Sequence, residues 1–374
     1  MDFELSEEQA MLRDVSRSAL KSHASPEQVR AMAGDSRGDG GELWRLGGEL
    51  GWTGLALPEE HGGSGQGLVE LCLVAEELGR AAAPDPFLPT AVVGLAVVTS
   101  GSGELRETVL PQLAGGSAAA AWALAEPGGG WTAESVRATA VRDGQGFVID
   151  GRKTAVQDAD HATWLLVTAL LDGEPVSFLV DRGTPGVTVR RQKTLDETRA
   201  FHEVRLEAVH VPETRLLGRT AAPTRRLCDA AAVLTAGDSL GAAERLLEMT
   251  VEYAKVRKQF GRPIGSFQAI KHKCSDMLML VRGARAAVHY AAMALDADAE
   301  DAGRAASVAK SFASEALSRV AGEALQTHGG IGFTWEHDLH LYLRRVKTND
   351  MLHGSAAAHR ERLCALLLEA PSAV

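Results

Sequence analysis

The residues best equipped for chemistry fall into a few groups. Two glycine-rich runs, Gly62-Gly63-Ser64-Gly65-Gln66-Gly67 and Gly128-Gly129-Gly130, are the kind of backbone that can approach a phosphate closely. Neither follows a strand pattern and opens a helix pattern, so neither reads as the fingerprint of a βαβ dinucleotide unit. The chain has no Gly-x-Ser-x-Gly elbow and no phosphate-loop lysine. His337 and His340 are spaced HxxH, with His328 and His353 nearby. No carboxylate-plus-histidine helix signature accompanies them, so they read as surface or cap histidines and no metal is expected. Arg190, Arg191 and Lys193 form a basic cluster that could meet an anion, and that reads equally well as the solvated edge of a strand.

Composition limits what must position these groups. A length of 374 residues favours two or three domains. Hydrophobic residues are 45% and charged residues 24%, enough apolar material for a large core. Aromatics are only 5% in an alanine-rich chain, which suits closely spaced helices. The 39 basic against 49 acidic residues leave a net charge of −10, which argues against a general nucleic-acid partner. Cys72, Cys228, Cys274 and Cys364 lie far apart with no CxxC pair, so a reduced, cytoplasmic protein is expected. The start of the chain lacks the basic and apolar regions of a signal peptide. No stretch of about 18 uncharged apolar residues occurs, so no membrane span is expected.

The hydrophobic pattern predicts an α+β fold in three parts. Residues 1–119 read as a helical domain. Ser6 and Gln9 can close a capping box before Leu12, Val15 and Ala19. Gly34 to Gly41 reads as a flexible connection, Leu68 to Leu78 as a helix, and Pro84, Pro86 and Pro89 as a rigid extended crossing. Residues 120–222 read as a middle antiparallel β domain. Its strand segments are Phe147 to Ile149, Trp164 to Leu170, Val176 to Val180, Val187 to Val189 and Val204 to Val211, divided by turn signals such as Asp172-Gly173. Residues 223–374 read as a helical bundle. From Ser266 to about Leu295, apolar residues Phe267, Ile270, Cys274, Met277, Val281, Ala284 and Val288 make one stripe. Gly303 to Gln326 is a second long helix, and residues from Thr348 onward a third.

Three blocks carry more specific information: Tyr253-Ala-Lys-Val-Arg257-Lys258-Gln259-Phe260-Gly261-Arg262-Pro263-Ile264-Gly265; Gln326-Thr327-His328-Gly329-Gly330-Ile331-Gly332-Phe333; and Ala125-Glu126-Pro127-Gly128. With Leu57-Pro58-Glu59-Glu60-His61-Gly62-Gly63, they resemble the acyl-CoA dehydrogenase flavoprotein family over nearly the whole chain. The resemblance implies an N-terminal helical domain, a middle β domain and a C-terminal four-helix bundle. It also implies FAD as cofactor and a tetramer in which a neighbouring bundle covers the FAD pyrophosphate and adenine. The implied reaction removes the acyl α-proton with a Glu carboxylate and passes the β-hydride to the flavin, giving a 2-enoyl-CoA. An electron-transfer flavoprotein is the family's usual acceptor. On this resemblance Arg257 would clamp the pyrophosphate, a role its planar fork suits. Phe260 would pack at the adenine end, while Gln326, Gly329 and Gly330 would let backbone approach the dinucleotide.

Other positions depart from the family pattern. Ala125 stands where Thr is common before Glu-Pro, and Trp131 where Ser is common after it. Ala155-Val156-Gln157 replaces the Trp-Ile-Thr run that usually lies against the flavin. The usual base, the Glu of a Tyr-Glu-Gly-Thr run, matches His353 in Leu352-His353-Gly354-Ser355. A second location used by some members falls on Ala231. His353 and Asp238, seven residues beyond Ala231, are the candidate bases. Motifs for holding a neighbour's FAD are present, while those for this chain's own flavin ring and base are eroded. That pattern leads us to expect a second acyl-CoA dehydrogenase-like subunit that completes the site. It is similar to the bacterial heterotetramers of steroid degradation. An autonomous homotetramer and a non-catalytic structural subunit are the alternatives.

Overall fold

A computed structural model describes residues 4–34 and 41–369. The chain begins with α1 (Glu7–His23), α2 (Pro26–Gly34), α3 (Gly41–Glu49), α4 (Leu68–Ala81), α5 (Phe87–Ser100) and α6 (Gly103–Ala114). Eight strands follow: β1 (Ala120–Ala123), β2 (Thr139–Asp143), β3 (Gly146–Gln157), β4 (Trp164–Leu171), β5 (Glu174–Asp181), β6 (Val187–Gln192), β7 (Phe201–Pro212) and β8 (Leu216–Leu217). The remainder is α7 (Ala221–Val256), the short pair β9 (Lys258–Gln259) and β10 (Arg262–Pro263), then α8 (Gln268–Asp296), α9 (Ala302–His328), α10 (Leu339–Met351) and α11 (Ala356–Glu369). Helices, a central sheet and further helices thus follow in the expected α+β order. No helix among the described residues is long and apolar enough to cross a membrane.

Local chemistry explains the element ends. Gln9 N donates to Ser6 Oγ at 3.2 Å and Ser6 N donates to Gln9 Oε1 at 3.0 Å, closing the predicted capping box. The extended crossing expected at the prolines is shorter than predicted. Pro89 lies in the first turn of α5, where a missing N–H removes no helical bond. The Gly34 to Gly41 connection falls largely outside the described residues. The single helix expected from Thr348 onward is two helices. The chain breaks at Leu352 to Ser355, where His353 takes φ 54° and Gly354 φ 100°.

The sheet runs in the order β6-β7-β3-β2-β4-β5-β8, with β1 beside β4. Pairing is antiparallel except for β1 with β4 and β2 with β4, which are parallel. Strands β4 and β5 are buried along nearly their whole length, matching their continuous apolar runs. Phe147 and Phe178 meet edge-on at 5.1 Å in the core, among Ile149, Leu165, Val167 and Val204.

The chain divides into two compact units. One contains residues up to Arg30, Cys72–Ala83 and everything from Ala232; the other contains Ala31–Leu71 and Pro84–Ala231. In the first unit, α4 and α7 cross at backbone contact. A Cβ on Gly79 would lie 1.8 Å from Asp238 O, and one on Gly241 would lie 1.7 Å from Glu76 O. Both positions therefore require glycine for space. We expect Gly79→Ala or Gly241→Ala to cost about 3 kcal/mol or more. Gly322→Ala, in the interior of α9 with nothing within 4 Å of its added methyl, should instead stabilise by about 0.5–1 kcal/mol. Denaturant unfolding of the three variants checks this; equal behaviour of all three would refute the steric account.

Candidate cofactor and substrate site

In the first unit, the Arg257 block forms the end of α7 and a tight hairpin. Arg257 N donates to Tyr253 O at 2.9 Å, and Ile264 N to Arg257 O at 2.8 Å. Strands β9 and β10 pair across Phe260-Gly261, at φ 52° and 78°, the two left-handed positions of a type I′ turn. Phenylalanine is an unusual residue there. The residue is 93% exposed, and among the described residues its ring contact is the edge of Phe267, at 6.1 Å between centroids. Arg257 is exposed and pairs with no carboxylate among the described residues.

The Gln326 block lies at the end of α9. Tyr253 stacks on His328 at 4.5 Å, tying the two blocks together. His328 Nδ1 donates to Ala324 O at 2.8 Å, and burial pushes its pKa down. His337 packs edge-on against it, which accounts for two members of the histidine group by packing. Gln326 is exposed. Gly329 caps α9 with φ 63° and ψ −141°, a conformation open to glycine. No atom lies within 4 Å of where a Cβ on Gly330 would sit, so that backbone faces open space. An unpaired guanidinium, a bare aromatic ring and exposed glycine backbone fit a dinucleotide pyrophosphate and its adenine. The five residues that the sequence assigns to this role all lie on these two linked blocks.

The turn carrying His353 is held from beneath by buried groups that sequence reasoning missed. Lys310 in α9 is buried and donates from Nζ to Asn349 O at 2.8 Å, Asp350 O at 3.2 Å and Ser314 Oγ at 3.0 Å. It thereby caps the carbonyl end of α10, where a cation is favoured. Burial brings its pKa down to about 8, against the pull of Asp350. His359 in α11 donates from Nε2 to His353 O at 2.8 Å, and its Nδ1 faces Ser307 Oγ at 3.3 Å. Burial lowers His359 to about 4, so it is neutral at ordinary pH. His353 itself is half-buried on this anchored turn.

Asp238, the second candidate base, has a different setting. It is 1% exposed in α7; Arg345 Nη1 donates to its Oδ2 at 3.0 Å and Asn349 Nδ2 to its Oδ1 at 2.6 Å. Arg345 also donates to the carbonyls of Ala82 and Ala83, at 3.1 and 3.0 Å. A carboxylate that is buried and has a guanidinium on one oxygen and an amide on the other is held in its ionised form and shielded from solvent. This geometry gives Asp238 a packing role: it ties α7 to Arg345 and Asn349 of α10.

In the second unit, the Glu-Pro block is organised around a buried pair. Glu126 accepts from Lys153 Nζ at 2.7 Å and from the backbone N–H of Arg137 and Ala138, at 2.9 Å each. Lys153, fully buried, also donates to Leu124 O at 3.2 Å. Desolvation takes Lys153 down to about 8, while Lys153 and the two N–H donors outweigh burial and hold Glu126 low. Strand β3 bulges between Lys153 and Val156, with Ala155 at φ 51°. Gln192 fixes this bulge: Ala155 N donates to its Oε1 at 2.9 Å, and its Nε2 donates to Thr154 Oγ1 at 2.9 Å. A methyl group therefore stands where the family resemblance calls for an aromatic wall. Ala125 is buried and Trp131 half-buried, so no hydroxyl is supplied from either. Ala231 is buried and carries no acid. Arg190, Arg191 and Lys193 are exposed on or just beyond edge strand β6.

Two outcomes follow from this geometry. Asp238→Ala leaves Arg345 buried without its carboxylate and should cost about 3–5 kcal/mol in unfolding free energy; unchanged stability with abolished turnover would restore Asp238 as a base. His359 binds its proton more weakly folded than unfolded. Its contribution is complete above about pH 6.5 and is lost as pH falls through about 4. Over that window it amounts to on the order of 3 kcal/mol. The acid slope of stability should therefore be shallower in His359→Gln, measured by denaturant unfolding at a series of pH values.

The chain matches the acyl-CoA dehydrogenase N-terminal domain over residues 6–117, the middle domain over 121–209 and the C-terminal domain over 224–368. It is 37% identical over 360 residues to the acyl-CoA dehydrogenase IpdE2 of Mycolicibacterium smegmatis, covering 96% of this chain and 98% of that one. Among solved structures, the ChsE4-ChsE5 complex of Mycobacterium tuberculosis superposes with TM-score 0.93 at 30% identity, covering 100% of both chains. A Tcur3481-Tcur3483 steroid ACAD variant gives 0.89 at 35%, covering 97% of this chain and 98% of that one. Three consecutive domain matches, full-length relatives and the α–β–α structure agree: the chain belongs to the acyl-CoA dehydrogenase family, oxidoreductases that act on the acyl chain of a CoA thioester.

Proposed function

We propose that this chain is one subunit of an FAD-dependent acyl-CoA dehydrogenase built from two related chains that share their cofactor sites. The observation that carries this is an asymmetry. Arg257, Phe260, Gln326, Gly329 and Gly330 are present in linked, largely exposed blocks, whereas the chain's own ring wall is Ala155 and its base position is His353. Two relatives support it: ChsE4-ChsE5 is named as a complex of two proteins, and the other pair is named as a steroid ACAD. The proposed substrate is an acyl-CoA whose acyl part derives from a steroid, and the proposed acceptor is an electron-transfer flavoprotein. A chain in a solved structure named for the electron transferring flavoprotein of Acidaminococcus fermentans superposes with TM-score 0.91 at 28% identity, covering 99% of this chain and 100% of that one.

FAD held by Arg257, Phe260, Gln326, Gly329 and Gly330 would supply the hydride-accepting chemistry that the acyl β-carbon requires. Arg257 neutralises pyrophosphate charge through a planar fork that has no competing carboxylate. Phe260 offers the adenine a ring already free of intramolecular packing on most of its surface. Glycine backbone at 329 and 330 admits the dinucleotide closely. The carboxylate that takes the α-proton belongs to the partner subunit. A second reading keeps the base in this chain: His353 sits on a turn fixed by His359 and Lys310, and neutral imidazole can accept a proton near pH 7.

The test is flavin content by visible absorbance together with native mass, for the chain alone and co-expressed with a candidate partner. We expect little FAD alone and about one FAD per pair in the complex. Arg257→Ala should weaken FAD retention in the complex at least tenfold, about 1.4 kcal/mol. His353→Ala should leave turnover within about twofold. A yellow, active homotetramer inactivated by His353→Ala would instead establish the second reading.

A further inference from the structure

A cavity lies wholly within the first unit, apart from the Arg257 and Gln326 blocks. It encloses about 410 Å³ and is walled by Arg13 and Arg17 of α1, Glu76 of α4, Glu244 of α7, and Arg282, Arg285 and His289 of α8. That volume falls in the usual range for small-molecule sites. Among the charges on its walls, Arg282 is the arginine with no carboxylate partner among the described residues, and Arg13 is held by an adjacent residue alone. Four arginines face two carboxylates, in a chain whose overall charge is −10. Both carboxylates are already matched. Glu76 is buried, with His289 Nε2 at 2.6 Å and Arg285 at 3.2 Å. Glu244 takes Arg285 at 3.1 Å and Arg80 at 3.5 Å. Arg17 is held by a two-pronged contact to Glu77, at 2.9 and 2.7 Å. Among the described residues, Arg13 meets its sequence neighbour Asp14, at 2.9 Å.

We propose that this cavity is a binding site for a phosphoryl group, free or carried on a nucleotide. Guanidinium forks are the side chains best matched to phosphate oxygens, and Arg13 and Arg282 present them from two helices, with Arg17 held beside them by Glu77. The Glu76, Arg285, Glu244 and His289 network keeps the adjoining wall rigid and already paired, so it does not compete for the arginines. The volume exceeds what a bare phosphate fills, which leaves room for the group that carries it. A ligand held by both α1 and α8 fastens the N-terminal helix to the bundle. Occupancy therefore raises stability as well as binding the ligand.

The experiment uses the full chain in its assembled form and follows melting temperature against concentration, at constant ionic strength set with chloride. The probes are inorganic phosphate and adenosine 3′,5′-bisphosphate. A saturable rise in melting temperature is expected with at least one of them. The apparent dissociation constant should weaken at least tenfold in Arg282→Glu and several-fold in Arg13→Gln, while the unliganded melting temperatures stay within about two degrees of the parent. A response to phosphate alone points to the free anion, and a tighter response to the bisphosphate points to a nucleotide. A linear, non-saturating rise, or one unchanged in Arg282→Glu, would mean a general salt effect and would overturn the proposal. Arg257→Ala supplies the control: loss of FAD with the phosphate response kept separates failure of the shared-flavin reading from failure of this one.

Discussion

The first unit depends on a backbone contact. At Gly79 and Gly241 the helices α4 and α7 approach so closely that a single methyl group would overlap a carbonyl oxygen. At such a distance no large side chain can fill the seam. The groups flanking it are instead polar and buried: Glu76 and Glu77 on one helix, Asp238 on the other. Each needs a partner, since an isolated buried charge is very costly. Arg285 and His289 serve Glu76, Arg17 serves Glu77, and Arg345 serves Asp238. One steric constraint thus sets a chain of ion pairs that reaches α1, α8 and α10.

Those pairs contribute register more than stability. Replacing a buried ion pair with apolar residues is often neutral, whereas breaking one is expensive. What such pairs do well is fix one arrangement among several. Arg345 bonds to Asp238 and to two carbonyls just beyond α4, so α10 cannot slide. Lys310 then takes the last carbonyls of α10, and His359 takes the carbonyl of His353. The turn between α10 and α11 is in this way located by three buried cationic or imidazole groups. Lys153 does the same for the Glu126 loop in the second unit, where one ammonium joins Leu124 and Glu126.

The sequence made much of this legible, and the missing parts share a cause. The capping box at Ser6 and Gln9, the stripe of α8 and the five main strand segments rest on local or periodic signals, which survive in a single chain read alone. The break after Met351 was missed because residues from 348 to 369 carry helix-forming types throughout. Only Gly354 marks it, and a lone glycine is a weak signal. Pro89 misled because a proline in a first helical turn looks like any other proline in sequence. The setting of Asp238 was not legible because its partners lie 107 and 111 residues away. Lys153, Lys310 and His359 were silent for the same reason: burial of a polar side chain is a property of the fold.

The hairpin at Phe260 holds a residue that its own backbone geometry disfavours. A type I′ turn asks for Asn, Asp or Gly at its first central position, and β-hairpins this short have little else to hold them. Here that position holds a phenylalanine at φ 52° whose ring is almost wholly in solvent. Within the chain, the residue costs backbone strain and exposed apolar area and returns one edge contact with Phe267. Asparagine there would relieve both. Such a residue makes energetic sense when its ring is covered by something outside the chain, and Val256, Ile331 and Phe333 on the same two blocks are exposed as well. An adenine ring brought by a partner's FAD would cover the phenylalanine, and the partner's own surface would cover the others. In that arrangement the strain at one turn is offset only after assembly, which ties cofactor retention to having the right neighbour.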